Sequence, residues 1–206
     1  MKALIIVDVQ NDFLPGGALA VTEGDKVIPV INELQDHYPL VVATQDWHPA
    51  NHESFASNHE GMPVGQVIDL HGLPQVLWPD HCIQDSSGAQ FAETLHRHNW
   101  ERVFQKGTDP GIDSYSGFYD NGRKKSTGLT EYLRAQGVHE VYVAGLATDY
   151  CVKYTAIDAA SEGFSSWVIT DAVKAVNLTA EDGEKALEEM KVRGVQVITS
   201  TEVLKN

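Results

Sequence analysis

Short runs of β-branched and other apolar residues alternate along this chain with stretches whose apolar positions recur every three or four residues. Residues 3–9 are apolar almost without interruption, the pattern of a strand buried on both faces. Over 25–36, Val27, Val30, Ile31 and Leu34 share one helical face. A second strand is expected at 40–45 and a short third at 102–105. Beyond residue 126 the alternation becomes regular. A helix at 127–136, closed by Gly137, leads to a strand at 140–144. A helix at 149–162, with Thr148 as its N-cap and Gly163 at its end, leads to a strand at 166–170. A helix at 179–193 and a strand at 195–199 complete the pattern.

Strands alternating with helices predict βαβ units. The fold class is α/β, a mostly parallel six-stranded sheet flanked by helices on both faces, in a Rossmann-like three-layer arrangement. The 206 residues fit one domain spanning 1–206. Two stretches break the alternation, at about 46–100 and 107–126. Both read as irregular loops rich in polar and aromatic residues, and loops of that length in a compact domain usually carry function.

Fifteen basic against twenty-nine acidic residues give a formal charge of −14, which argues against nucleic acid and anionic membranes as partners. The apolar run before Asp8 is too short for a signal segment, and no stretch is long enough to span a bilayer. These features predict a cytoplasmic protein whose two cysteines, Cys82 and Cys151, are thiols. The sequence does not choose between a monomer and a homo-oligomer.

In an open parallel sheet, ligands bind beyond the C-terminal ends of the strands. Asp8 closes the first expected strand, Asp46 follows the second, Lys106 follows the third, and the turn to Cys151 follows the fourth. A lone buried cysteine is ordinarily packing; convergence on one sheet edge is what makes Cys151 a candidate nucleophile. The start of a helix favours a thiolate. Asp8 is a candidate base for the thiol, and a nearby Lys106 cation would balance the two negative charges. Backbone N–H groups around Gly145–Cys151 are placed to receive an oxyanion. Five of the nine histidines (His48, His52, His59, His71 and His81) lie in the first long loop. With Asp46 two residues before His48, they suggest a site for Zn²⁺, Fe²⁺ or Mn²⁺. Spacing alone does not select among His59, His71 and His81.

Six ordered motifs resemble the cysteine hydrolases of the isochorismatase-like superfamily, and within it the bacterial nicotinamidases (pyrazinamidases). They are Ile6-Val7-Asp8-Val9-Gln10-Asn11-Asp12-Phe13, Thr44-Gln45-Asp46-Trp47-His48-Pro49, Trp78-Pro79-Asp80-His81-Cys82, Gln105-Lys106-Gly107, Tyr115-Ser116-Gly117-Phe118 and Gly145-Leu146-Ala147-Thr148-Asp149-Tyr150-Cys151. The resemblance covers essentially the whole chain. It implies Cys151 as nucleophile, Asp8 as general base and Lys106 as its cationic partner. It implies a divalent metal, zinc first, on Asp46, His48 and His81. The fourth protein position falls to His52, with Glu53 and Ser54 as alternatives. It further implies a cis peptide at Leu146–Ala147, an oxyanion hole from the N–H groups of Ala147 and Cys151, and a ring pocket of Phe13, Trp78, Tyr115 and Leu146. The implied reaction is hydrolysis of nicotinamide, a small heteroaromatic amide, to nicotinate through a thioester in NAD salvage. The rival readings are a related amidohydrolase for carbamoyl or ureido substrates, isochorismate hydrolysis, which does not need the thiol, and a non-catalytic metal- or ligand-binding module.

Overall fold

The apolar N-terminal run forms β1 (Lys2–Val7), and its alternation decides how two helical layers pack. The computed structural model describes residues 1–205. Leu4 and Ile6 point to one side of the sheet and join the core beneath α1 (Val27–Gln35). Ala3, Ile5 and Val7 point to the other. There they meet α2 (Leu129–Ala135), α3 (Lys153–Ser161) and α4 (Asp182–Val192). A strand covered on both faces needs no polar alternation, which is why its sequence reads as a continuous apolar run.

β2 (Val41–Asp46) pairs with β1, and β5 (Trp100–Lys106) pairs with β2. On the other side of β1 lie β6 (Glu140–Leu146), β7 (Ser165–Lys174) and β8 (Gln196–Ile198). Every pairing in this sheet is parallel, and the order is β5-β2-β1-β6-β7-β8. The chain thus builds outward from β1 through β2 to β5, then returns to add β6 on β1's free side. The junction of β1 and β6 is a topological switch point, where an open sheet forms its crevice. A short α5 (Ser200–Val203) follows, closed at its N-terminus by a Thr199–Glu202 capping box.

The structure departs from the sequence pattern in three places. The stretch 46–100 is not without regular structure: it contains an antiparallel hairpin of β3 (Val67–Leu70) and β4 (Leu73–Val76). Single bridges tie His48 to Ile83 and Phe55 to Trp78. Strands of four residues, with Val67 61% exposed, leave no hydrophobic period to detect. The helix expected at 149–162 begins as a π-helical turn, Thr148–Val152, so Ala147 occupies the cap position and Thr148 lies inside the turn. The strand expected at 166–170 runs on to Lys174, with an irregular register against β6. Among the described residues no helix is long and apolar enough to cross a membrane.

Gly145 sits on β6 at φ +120°, where a Cβ would lie 2.1 Å from the carbonyl oxygen of Val7. Only glycine lets β6 approach β1 this closely beside the crevice. Gly145→Ala is expected to destabilise the fold by about 3 kcal/mol, at the upper end of overpacking costs. Urea unfolding of the two proteins measures this, and an unchanged midpoint would contradict the close approach.

Candidate active site

The parallel sheet brings the four predicted strand ends together. Asp8 leaves β1 at φ +47°, a left-handed conformation that aspartate tolerates better than most residues. Asp46 and Lys106 end β2 and β5, where they are register partners. Cys151 sits in the π-helical turn after β6. All four are buried.

Lys106 is the hub. Its Nζ lies 2.6 Å from Asp46 Oδ1 and 2.8 Å from Asp8 Oδ2. It donates to the Ser114 carbonyl at 2.9 Å and lies 3.4 Å from Cys151 Sγ. Burial alone would lower its pKa, but Asp46 and Asp8 outweigh that and hold it well above the ordinary lysine value. Asp46 behaves in the opposite sense. Burial pushes its carboxyl up, yet Lys106 and His48 bring it well below the usual range. For Asp8, burial prevails over Lys106 and the pKa is raised. Thr44 Oγ1 donates to Asp8 Oδ1 at 2.6 Å, while Oδ2 has the ion pair and no directed hydrogen bond. One lone pair of the base is therefore available.

The thiol differs from the sequence expectation. Burial raises Cys151 well above the ordinary thiol value, and the nearby Lys106 only partly opposes this. Burial thus favours the neutral thiol, because desolvation of the buried sulfur outweighs the help of a helix start. An Asp8 oxygen lies within 4.8 Å of Sγ, so a base with raised affinity for protons stands beside an acid that needs one.

Beside this triad, ligand atoms of Asp46, His48 and His81 converge. His48 Nε2 and His81 Nε2 lie 3.4 and 3.8 Å from Asp46 Oδ2. Donors about 2.0–2.1 Å from one tetrahedral metal would be roughly 3.4 Å apart, so the spacing fits a divalent ion. The tautomers fit as well. His48 Nδ1 is 2.9 Å from the Gly107 carbonyl and His81 Nδ1 is 2.7 Å from the Pro79 carbonyl. Each Nδ1 therefore donates, and each Nε2 turns a lone pair inward. Buried His48 Nε2 has no hydrogen-bond partner among the described residues. Charge points the same way. Asp8, Asp46 and Asp113 are all buried here with one ammonium, Lys106, leaving a formal excess of two negative charges, the charge of one divalent cation. His59 and His71 are spent elsewhere, on the backbone oxygen and side chain of Glu53 at 2.7 and 2.8 Å. His52 falls into a separate group with His48 and Asp113.

A cavity of about 30 Å³ opens onto Cys151 and is walled by Phe13, Trp78, His81, Tyr115 and Ala147. Leu146, expected in this wall, is instead fully buried in the core on the α1 side. It packs in the same apolar cluster as the wall residues Phe13 and Ala147. Leu19, Tyr150, Val176 and Asp113 take part in the wall and were missed. Trp78 Nε1 donates to Tyr115 Oη at 3.1 Å, so two of the expected ring contacts brace each other. The peptide Leu146–Ala147 is cis, as the resemblance implied. Gln10, also missed, clamps Asp46 by two 2.8 Å bonds to its backbone N–H and carbonyl. Only the preference of a buried glutamine for paired partners hinted at this role.

The raised Asp8 pKa has a kinetic consequence. With Asp8 as the candidate base for the thiol, its protonation would block that transfer, and kcat/KM is expected to fall as pH drops through its pKa. That acid limb should lie above the ordinary value of 3.8. A pH profile of turnover checks this, and a limb at or below 3.8 would contradict the buried-base geometry.

The family model for the isochorismatase domain matches residues 2–202. Nicotinamidase of Escherichia coli is 50% identical over 202 residues, covering 96% of this chain and 94% of the relative. Among solved structures, a nicotinamidase/pyrazinamidase of Acinetobacter baumanii is 46% identical with a TM-score of 0.95, covering 98% of this chain and 97% of its own. A pyrazinamidase of Pyrococcus horikoshii in complex with zinc is 42% identical with a TM-score of 0.78, covering 96% and 98%. Matched along nearly its whole length in sequence and in fold, the chain belongs to the isochorismatase family.

Proposed function

We infer that the chain is a nicotinamidase, hydrolysing nicotinamide to nicotinate and ammonia through a thioester on Cys151. The observation that carries the mechanism is the single buried ammonium of Lys106 in contact with Asp8, Asp46 and Cys151. It joins the nucleophile and its base to the metal-ligating carboxylate. The nicotinamidases at 48–50% identity support the substrate.

Asp8 takes the proton of Cys151, and Lys106 keeps the developing pair of negative charges neutralised. The thiolate attacks the carboxamide carbon. The oxyanion is received by the N–H groups of Ala147 and Cys151. Asp8 returns the proton to the leaving nitrogen, ammonia departs and an acyl-cysteine remains. Asp8 then draws a proton from water, which attacks the thioester and frees nicotinate and the thiol. Asp46, His48 and His81 would hold the divalent metal, and zinc is favoured by the two-imidazole, one-carboxylate donor set and by the zinc-bound pyrazinamidase relative. When bound, the metal supplies a Lewis-acidic anchor for the ring nitrogen. Phe13, Trp78 and Tyr115 enclose the flat ring. Pyrazinamide, which carries the same carboxamide on a similar ring, is the expected second substrate. Salvage of pyridine nucleotides in the cytoplasm is the setting that two free thiols and a small-molecule pocket support.

Ammonia release from nicotinamide by the purified protein, with metal analysis of the same sample, tests the reading. Cys151→Ala is expected to lower kcat by on the order of 10⁴-fold or more with metal content unchanged; appreciable turnover would rule out covalent catalysis. Asp46→Ala is expected to lose the metal and raise KM, and a fully loaded, fully active variant would refute the ligand set.

A further inference from the structure

Two buried polar side chains next to the metal ligands have no part in the mechanism above. They are His52, at the start of the long loop, and Asp113, in the second loop. Their ligand atoms lie within 4.8 Å of each other and of one from His48. This is not an independent second cation site. His48 uses Nδ1 on the Gly107 carbonyl, which leaves the single lone pair of Nε2, and that lone pair faces Asp46.

Resting on the metal reading above, we propose that His52 and Asp113 do not bind the metal but form an outer donor–acceptor pair that holds a water ligand on it. The backbone fixes the imidazole's role. The Ser54 N–H donates to His52 Nδ1 at 3.2 Å, with Ser54 Oγ 2.7 Å from the same nitrogen. An Nδ1 that accepts puts the ring proton on Nε2, and a protonated nitrogen cannot coordinate a metal. That Nε2–H is buried and has no partner among the described residues. It is a donor in want of an acceptor.

Asp113 is the complementary acceptor. The Ser114 N–H donates to its Oδ1 at 2.7 Å, and Gln75 Nε2 to its Oδ2 at 3.0 Å. Gln75 lies on β4, where its Nε2 also donates to Val76 O at 2.7 Å, and Tyr115 Oη of the second loop is 3.2 Å from the same nitrogen. Each carboxylate oxygen retains a lone pair, and Asp113 lines the cavity that Cys151 faces. A water that accepts from one group and donates to another, at about 2.8 Å each and a tetrahedral angle, spans roughly 4.6 Å. Ligand atoms of His52 and Asp113 lie within 4.8 Å of each other, on the scale of that span. The second lone pair of such a water is free for the metal. Asp113 and His52 are therefore positioning residues, and the hairpin that looked irregular in the sequence reaches the centre through Gln75.

Zinc titration against a chromogenic chelator, with X-ray absorption of the zinc-loaded protein, tests this. Wild type is expected to take up one zinc with two imidazoles in its inner shell. His52→Ala should keep one zinc and two imidazoles while binding zinc about 10- to 100-fold more weakly, and Asp113→Asn should do the same. His52→Gln, which retains an N–H donor, should recover part of the loss; far-UV circular dichroism confirms that the variants are folded. Three imidazoles in wild type, or a count that falls in His52→Ala, overturns the outer-pair assignment and leaves the metal reading standing. Unchanged affinity in both His52→Ala and Asp113→Asn does the same. A wild-type chain that binds no divalent metal overturns both.

Discussion

A buried ammonium group between two carboxylates and a thiol sets the terms for the rest of this molecule. Taking Lys106 out of water costs several kcal/mol, and so does burying each of Asp8 and Asp46. None is tolerable alone; the ammonium lies within 2.8 Å of both carboxylates and offsets each of them. Removing one member of such a pair typically costs about 3–5 kcal/mol, since it strands the remaining charge in a medium that cannot solvate it. The strand ends must therefore meet with little freedom. Parallel pairing of β1, β2 and β5 supplies that rigidity; within it Thr44 holds the Asp8 carboxylate and Gln10 clamps the backbone of Asp46.

The same low-polarity setting governs the thiol. A helix start would favour a thiolate if Cys151 were open to water. Buried as it is, the sulfur is held toward the neutral thiol, and in the proposed mechanism its activation falls to Asp8 instead. This keeps charge from forming before a substrate is in place. The proposed proton transfer from Cys151 to Asp8 would move charge over a short distance beside a fixed cation, with little reorganisation. Lys106 thus couples two functions, neutralising the catalytic pair and orienting the carboxylate that faces His48 and His81.

Around this centre the loops serve as a shell of fixed polar groups. Backbone carbonyls of Gly107 and Pro79 set the imidazole tautomers, and Gly107 has no room for a side chain, since a Cβ would lie 2.3 Å from the His48 ring. Asp12 accepts from the Cys82 N–H at 2.7 Å and so ties the segment after His81 to the segment that carries Phe13. Cys82 itself is buried and packs in the core on the α1 side.

Asp8, Asp46, Lys106 and Cys151 were legible because each follows a strand whose apolar run is long enough to recognise, and a parallel sheet leaves its strand ends on one edge. His48 followed from its spacing to Asp46. The choice of His81 over His59 and His71 came only from the family resemblance, and Asp113, Gln10, Thr44 and Tyr150 went unseen. Their roles depend on which loop lies against which, and a loop contact leaves no period in the sequence. Leu146 lies outside the wall for a related reason: it is fully buried in the cluster that also holds Phe13 and Ala147, a packing the local pattern does not show. By itself the sequence determined the order of the six strands of the main sheet, the chemistry at their ends and the excess of acid, since these follow from local pattern and composition. Only the tertiary structure decided which oxygen faces which nitrogen and that the thiol rests protonated, because desolvation and hydrogen-bond geometry arise when distant segments exclude water from one another.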